Sequence, residues 1–305
     1  MRVAAIDQGT NTTRLLVADV DDGRLRDVVR RSEITRLGEG VDERHRLLPL
    51  PIARVRNCLT AYRREAEQLG AERTLLVATS AVRDAENGEA FLGEVEWSYG
   101  FTTRLLSGDE EATLMLRGVG AIEPGTLVLD IGGGSTELVT PDARTSIDVG
   151  SVRLTERFLH TDPPTRDELE ACAQHVRALL PPLEVNSAVG VAGTITTLAA
   201  LDLGLDEYDS ERVDGHELSR GGVERQLERL AALPLVDRRE VPALEPERAP
   251  VIVAGAVIAR EVLTAYGLDA MTVSVHDILD GIALAAAELP APVEGDAPPG
   301  AYTCC

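Results

Sequence analysis

The residues best suited to chemistry lie between Leu127 and Val139, in a segment that reads Leu-Val-Leu-Asp-Ile-Gly-Gly-Gly-Ser-Thr-Glu-Leu-Val. A short apolar run ends at Asp130, three glycines follow, and a second apolar run begins at Leu138. Glycine has no Cβ, so its backbone N–H groups can approach phosphate oxygens closely. A carboxylate is a hard oxygen ligand of the kind that Mg²⁺ takes together with substrate phosphates. The segment therefore predicts a site for a phosphate and its metal ion, with a plain glycine turn as the structural alternative.

The start of the chain repeats this arrangement in part. A strand-like run over residues 2–6 is followed by Asp-Gln-Gly-Thr-Asn at 7–11, and a second alternating run occupies 12–20. Neither copy matches the dinucleotide-binding fingerprint, because no helix is predicted directly after the glycines. No Gly-Lys-Ser/Thr sequence of a P-loop occurs either.

Composition limits the classes of protein to which the chain can belong. With 305 residues it is long enough for two domains, and its 44% apolar content supports hydrophobic cores. The net charge is −21 and all 30 basic residues are arginine, so we expect no nucleic-acid partner. No apolar run could span a bilayer and no signal sequence is visible, which predicts a cytoplasmic protein without a membrane partner. Cys58 and Cys172 are predicted to be buried thiols.

Hydrophobic periodicity places the candidate residues in two similar halves. The first half is predicted as three antiparallel strands followed by alternating helices and strands, and the second half repeats that order. These halves are assigned as domains 1–120 and 121–276, and the Pro- and Gly-rich tail, 290–305, is predicted to be disordered. The predicted helices are 49–69, 166–180, 219–233, 251–266 and 277–289, together with one from the segment 107–112 to about 119 and one after Gly193-Thr194 that runs to 203.

Two helix starts carry capping signals. Asn87 is predicted to cap the helix that restarts after a break near residues 80–88. Thr165 and Glu168 have the spacing of a capping box at the start of the 166–180 helix.

Seven motifs resemble those of the exopolyphosphatase/guanosine-pentaphosphatase (Ppx/GppA) phosphatases, which have the fold of actin, Hsp70 and sugar kinases. Each motif alone is weak, but together they follow the family's order over nearly the whole chain, to about Leu289. They are Asp-Gln-Gly-Thr-Asn-Thr-Thr-Arg at 7–14, Ala-Thr-Ser-Ala-Val-Arg-Asp-Ala-Glu-Asn at 78–87, Leu-Ser-Gly-Asp-Glu-Glu-Ala at 106–112, Asp-Ile-Gly-Gly-Gly-Ser-Thr-Glu at 130–137, Gly-Ser-Val-Arg-Leu-Thr-Glu at 150–156, Gly-Val-Ala-Gly-Thr at 190–194 and Val-Ala-Gly-Ala at 253–256.

The resemblance implies an α/β fold of two actin-like (ribonuclease H-like) domains that face across a cleft. Each would contain a mixed five-stranded sheet with helices, and the final helix, 277–289, would pack back on the N-terminal domain. It also implies a hydrolase of phosphoanhydride bonds that releases terminal orthophosphate from inorganic polyphosphate with the help of Mg²⁺ or Mn²⁺. The resemblance allows a homodimer.

The resemblance also assigns roles residue by residue. Glu111 is expected to be the base that activates the attacking water, with Glu110 as the alternative if the helix phase differs. Asp130 and Glu137 are expected to bind the metal and position the water, and Asp7 to be a further metal ligand. For Glu111 the structural alternative is an exposed helix carboxylate. The expected phosphate-binding residues are Gly9, Thr10, Asn11, Arg14, Arg83, Gly132, Gly133, Gly134, Ser135 and Thr136.

The forked guanidinium groups of Arg14 and Arg83 suit phosphate oxygens, although each could instead form a surface salt bridge. Arg153 and Glu156 are an alternative ion pair on the helix after Gly150.

The chain departs from the family's pattern at two places. Arg-Ala-Pro stands at 248–250 where members often have Arg-Ala-Asp, and the last helix begins His-Asp-Ile-Leu-Asp-Gly at 276–281 rather than with Leu-Arg-Glu-Gly. Longer members carry further helical domains after this point, which favours short polyphosphate as the substrate. The rival functions are hydrolysis of guanosine pentaphosphate at its 5′ γ-phosphate, a kinase or ATPase of the same superfold, and a non-catalytic sensor of polyphosphate or alarmone.

Overall fold

The computed structural model describes residues 1–290. It divides into two compact units, of which the first contains Met1–Gly120 and the segment that starts at Ile278, and the second contains Ala121–Asp277. The tail predicted to be disordered lies outside the described residues, except for Pro290. Within residues 1–290, no helix has the length and apolar character needed to cross a membrane.

The first unit is built on a five-stranded mixed sheet. Its strands are β1 (Arg2–Gln8), β2 (Thr13–Asp21), β3 (Arg24–Glu33), β4 (Arg73–Ala78) and β5 (Thr102–Leu105). They lie in the order β3-β2-β1-β4-β5, with β1 to β3 antiparallel and with β4 and β5 parallel to β1. The helices between them are α1 (Val41–Arg44), α2 (Pro49–Gln68), α3 (Ser80–Arg83), α4 (Gly88–Tyr99) and α5 (Gly108–Val119).

The central strand of this sheet has buried apolar residues on both faces. Ala4 and Ile6 of β1 belong to a core that includes Leu59 of α2 and Phe91 of α4. Val3 and Ala5 point to the opposite face because successive strand residues alternate, and they are also fully buried. Both faces are therefore covered, which explains why β1 is apolar along most of its length.

The second unit contains a six-stranded sheet, one strand more than expected. Its elements are β6 (Thr126–Ile131), β7 (Thr136–Val139), β8 (Arg144–Ile147), α6 (Ser151–Phe158), α7 (Arg166–Leu179), β9 (Ser187–Val191), α8 (Ala192–Asp202), α9 (Ser210–Val213), β10 (Glu217–Ser219), α10 (Arg220–Ala232), α11 (Leu235–Arg238), α12 (Ile252–Ala265) and β11 (Ala270–Val273). The strand order is β10-β11-β9-β6-β7-β8. The expectation of five strands was wrong here because β10 has only three residues, too few to show a periodic pattern, and pairs antiparallel with β11.

The two predicted caps have different outcomes. Thr165 and Glu168 form both hydrogen bonds of the capping box at the start of α7, as predicted. Asn87 occupies the N-cap position of α4, but its side chain makes no capping hydrogen bond, so that part of the prediction was wrong. The Asn87 amide instead accepts a hydrogen bond from the Leu47 N–H at 2.8 Å and donates to the Leu47 carbonyl at 3.1 Å.

Cys58 and Cys172 are both buried, as predicted. Burial raises the pKa of each thiol to about 12, so both stay protonated at neutral pH. Neither is a candidate nucleophile.

The last described helix, α13 (Ile278–Ala287), belongs to the first unit, where it contacts β1, β2, β4 and α5. Glycine at 281 permits a very close approach, because a Cβ there would lie 1.9 Å from the carbonyl oxygen of Leu114 in α5. Asp280 is 1% exposed and accepts hydrogen bonds from two nitrogens of the Arg30 guanidinium, at 2.9 and 3.2 Å. Helix α13 is therefore a closely packed layer of the first unit, in direct backbone contact with α5.

We predict that Gly281→Ala destabilises the protein by about 1–3 kcal/mol, because the added methyl group must displace the α5 backbone. The matched control is Gly93→Ala in α4, where a Cβ would meet nothing within 4 Å. Alanine has the higher helix propensity, so the control should gain up to about 1 kcal/mol. Urea unfolding of the two variants checks this, and equal free energies of unfolding would contradict the packing argument.

Candidate functional site

Both candidate turns have the same backbone geometry. The Gly9 N–H donates to the Thr12 carbonyl at 3.0 Å, and the Gly132 N–H donates to the Ser135 carbonyl at 3.0 Å. A Cβ at either glycine would lie 3.1 Å from that same oxygen, a tight contact that explains why glycine opens each turn. The resemblance between the two turns in sequence therefore corresponds to a resemblance in structure.

In the second unit, the turn brings two carboxylates together. Asp130 of β6 and Glu137 of β7 are directly opposite each other in the antiparallel register, so their side chains share one face of the sheet. The adjacent pair, Leu129 and Leu138, points to the other face and into the core of the unit. Asp130 is 8% exposed and Glu137 is 2% exposed, and Ser146 donates a hydrogen bond to Glu137 Oε1 at 2.8 Å. Two buried carboxylates are thus held side by side on one sheet.

This pair fits a divalent cation. Carboxylates directly opposite each other repel, and a cation between them would neutralise that charge. The described residues contain no group of three or more His, Cys, Asp or Glu side chains that could hold a metal ion. Mg²⁺ commonly binds through one or two carboxylates and takes its other ligands from water and substrate phosphate, so Asp130 and Glu137 would suffice for it.

The equivalent pair in the first unit has a different charge. Asp7 of β1 lies opposite Arg14 of β2, and the Arg14 Nε and Nη2 atoms are 2.9 and 2.6 Å from Asp7 Oδ2. The structure thus joins the expected metal ligand Asp7 and the expected phosphate ligand Arg14 in one ion pair. Their roles toward a metal and a phosphate stay predictions.

The side chain of Asn11, in the first turn, is buried without hydrogen-bond partners. It is 6% exposed, and neither its side-chain nitrogen nor its side-chain oxygen has a hydrogen-bond partner. Burying an amide without partners is unfavourable, so such groups in native structures are commonly explained by a ligand or by function. Asn11 therefore has donor and acceptor capacity to offer to a bound phosphate.

Two of the expected hydroxyl ligands are instead engaged within the protein. Thr10 shares a hydrogen bond of 2.8 Å with Ser80, and the Thr136 hydroxyl donates to the Val149 carbonyl at 2.5 Å. Both hydroxyls help to hold their turns in place.

Sequence reasoning missed a segment that supports the first turn. The Arg36 N–H donates to the Asn11 carbonyl at 2.9 Å, and the Gly38 N–H donates to the Thr10 carbonyl at 2.8 Å. Arg36 has a positive φ of 50°, which is uncommon for a residue other than glycine. The signal that could have revealed this segment is the pair of glycines in Arg-Leu-Gly-Glu-Gly at 36–40.

The start of α5 distinguishes the two candidate bases. Glu110 forms the capping box with Ser107, whose backbone N–H donates to Glu110 Oε2 at 2.8 Å and lowers the pKa of that carboxyl group. Glu111 is 8% exposed, and its Oε2 lies 3.5 Å from Nη1 of Arg83. The same Arg83 atom donates to the Leu106 carbonyl at 2.9 Å. Glu110 thus forms part of the helix cap. The buried Glu111 lies beside Arg83, an expected phosphate ligand.

The glycine loop of the second unit, residues 132–134, packs against the start of α6. A Cβ at Gly150 would lie 2.4 Å from both the carbon and the oxygen of the Gly133 carbonyl. The Ser151 N–H donates to the Gly132 carbonyl at 2.9 Å, and Arg153 Nε donates to the Gly134 carbonyl at 2.8 Å. The loop is therefore fixed from behind by α6.

Arg248, at the departure from the family's Arg-Ala-Asp, lies against the start of α8. A Cβ at Gly193 would be 2.7 Å from Arg248 Nη1, so a larger residue there would require the Arg248 guanidinium to move. Arg248 also forms an ion pair with Glu245 at 3.1 Å.

Comparison with known proteins gives consistent matches. A family model described as the Ppx/GppA phosphatase family matches residues 16–287. Exopolyphosphatase 2 of Mycobacterium tuberculosis (strain CDC 1551 / Oshkosh) is 41% identical over 314 aligned positions, which cover 94% of this chain and 98% of that protein. Guanosine-5′-triphosphate,3′-diphosphate pyrophosphatase of Vibrio vulnificus is 29% identical, over 92% of this chain but only 58% of that protein. The crystal structure of the Aquifex aeolicus Ppx/GppA family member superposes with a TM-score of 0.77 at 32% identity, covering 94% of this chain and 98% of that one.

We predict that Asn11→Leu increases the free energy of unfolding by about 1–3 kcal/mol, because it removes an amide buried without hydrogen-bond partners. The same variant should lose part of any stabilisation that inorganic phosphate gives the wild-type protein. The control is Asn87→Leu, which breaks the two hydrogen bonds to Leu47 and should be destabilising. Urea unfolding with and without phosphate measures both effects, and a destabilised Asn11→Leu variant would contradict this description of the turn.

Proposed function

Since this chain belongs to the Ppx/GppA phosphatase family, we propose that it is an exopolyphosphatase that releases orthophosphate from the end of inorganic polyphosphate. The observation that carries the proposal is the 41% identity to exopolyphosphatase 2 over 98% of that protein's length. The buried acidic and amide groups described above support it, because they are the kinds of group that phosphoryl transfer needs.

In the proposed reaction, a water oxygen attacks the terminal phosphorus. Glu111 accepts the proton that the water loses, and the anhydride P–O bond breaks to leave orthophosphate and a chain shortened by one phosphate. Arg83, whose guanidinium lies 3.5 Å from Glu111, is suited to bind the terminal phosphate beside the base. A base helps only if it is within hydrogen-bond reach of the water, which the fixed first turn of α5 favours.

Asp130 and Glu137 would hold Mg²⁺ or Mn²⁺, with Asp7 as the further candidate ligand. When bound, the ion would neutralise phosphate charge as the P–O bond breaks. The amides of the glycine loop and the Asn11 side chain would bind phosphate oxygens. The remaining donors proposed from sequence are Gly9, Thr10, Arg14, Ser135 and Thr136, and of these Arg14, Thr10 and Thr136 already make protein contacts.

The test of the function is phosphate release by the purified protein with Mg²⁺. Short polyphosphate, long polyphosphate and guanosine pentaphosphate are compared by kcat/KM, the ratio that discriminates competing substrates. We expect short polyphosphate to have the highest value. A higher value for the nucleotide would overturn the proposal in favour of the alarmone phosphatase, and binding without release of phosphate would favour a sensor.

We predict that Glu111→Gln lowers kcat by about 10²–10⁴-fold, the usual contribution of a general base, without lowering the melting temperature. The matched control is the neighbouring Glu110→Gln. Glutamine can also form a capping box at this position, so the change should alter stability by no more than about 1 kcal/mol and leave kcat nearly unchanged. If the Glu111→Gln enzyme retained the wild-type kcat, Glu111 would not be the general base.

We predict that Mg²⁺ raises the melting temperature of the wild-type protein, because a ligand that binds only the folded state stabilises it. Asp130→Asn should abolish this rise, whereas Asp148→Asn, which changes an exposed acid in the same unit, should retain it. Differential scanning calorimetry at several Mg²⁺ concentrations measures the effect. A full Mg²⁺ response in Asp130→Asn would place the metal elsewhere.

A further inference from the structure

Every carbonyl group of the glycine loop accepts a hydrogen bond from α6. Those of Gly132 and Gly133 accept from the first backbone amides of the helix, at 2.9 and 2.8 Å. The third, that of Gly134, lies beyond the reach of the helix backbone and accepts from the side-chain Nε of Arg153 at 2.8 Å. The backbone N–H of Arg153 also donates, to the Gly133 carbonyl at 3.1 Å.

These bonds determine where the loop amides point. In a trans peptide the carbonyl and the following N–H point in opposite directions. Because the three carbonyls face α6, the N–H groups of Gly133, Gly134 and Ser135 face away from it. Within residues 1–290, none of these three N–H groups donates to a protein acceptor. Consecutive amides directed in this way form the concave backbone arrangement that binds anions.

We propose that Arg153 is a positioning residue for this loop, which fixes the Gly134–Ser135 peptide so that the Ser135 amide is the third donor to a phosphate. The hydrogen bond to Gly134 is charge-assisted and therefore about twice as strong as a neutral one. A donor on the carbonyl also polarises the N–H of the same peptide, which makes it a better donor to the ligand. The proposal rests on the proposed function only for the identity of the ligand.

Arg153 supports the Gly134 carbonyl through its side chain, so a substitution can remove that support. The Gly132 and Gly133 carbonyls accept from backbone amides that survive any change of side chain, and Gly132 also accepts from the Ser151 hydroxyl at 3.2 Å. In Arg153→Gln, the Nε2 atom is as many bonds from Cβ as Arg Nε is, so the donor remains while the charge is lost. In Arg153→Met, a side chain of similar length has no donor at all. The two variants therefore separate the hydrogen bond from the charge.

The experiment is a titration of ¹⁵N-labelled protein with inorganic phosphate in the presence of Mg²⁺, followed by amide NMR. In the wild type we expect downfield shifts of the Gly133, Gly134 and Ser135 amide protons on binding. Arg153→Met should lose the Ser135 shift and bind phosphate about tenfold more weakly, the effect of one good hydrogen bond to a charged group. Arg153→Gln should retain the shift and most of the affinity.

Three results would overturn the proposal. Arg153→Met could behave like the wild type, or Arg153→Gln could fail as completely as Arg153→Met, which would mean that charge matters and not the Nε donor. The wild-type loop amides could also remain unshifted while the protein hydrolyses polyphosphate. In that last case the proposed function stands without the loop. If the amides shifted in a protein that hydrolyses no polyphosphate, the role of Arg153 in the loop would stand and the proposed exopolyphosphatase activity would fail.

Discussion

The chemistry of this molecule depends on a single backbone constraint, the closed glycine turn between two antiparallel strands. In each unit the first glycine donates to the carbonyl three residues later, so the next strand must return beside the first. The return places the residue before the turn directly opposite one beyond it, and side chains at opposite positions share a face. In this way the first turn brings Asp7 beside Arg14, and the second brings Asp130 beside Glu137.

The residue pairs beside the two turns differ in charge, although the turns have the same backbone hydrogen bond. Asp7 is compensated by Arg14 at 2.6 Å, whereas the residue opposite Asp130 is a second acid. Acids at directly opposite positions repel each other, so the second pair is the one suited to a cation. Similar folds in the two units thus carry different electrostatics, and this difference comes from one change of residue type at equivalent positions.

The sequence was sufficient for most strands and for the long helices, because these depend on periodicity, and its short motifs supplied the acids that are proposed as site residues. It was insufficient wherever a side chain contacts a segment that is distant in the sequence. Asn87 has the residue type of a cap, yet its side chain binds Leu47, a contact that no local pattern shows. The support of Thr10 and Asn11 by residues 36–38 and the packing of Arg248 on Gly193 are also tertiary. The choice between Glu110 and Glu111 is different, since Ser107 and Glu110 already have capping-box spacing in the sequence.

The first unit is discontinuous in the chain, because α13 comes after all the residues of the second unit. During synthesis, which proceeds from the N-terminus at about 5–20 residues per second, residues 121–277 therefore leave the ribosome before α13 does. The second unit has its full set of residues while the first still lacks a layer. Until α13 arrives, the apolar surface that it contacts on β1, β2 and β4 remains open to water and to other chains. The nascent protein thus passes through a stage at which chaperones would be expected to bind the first unit.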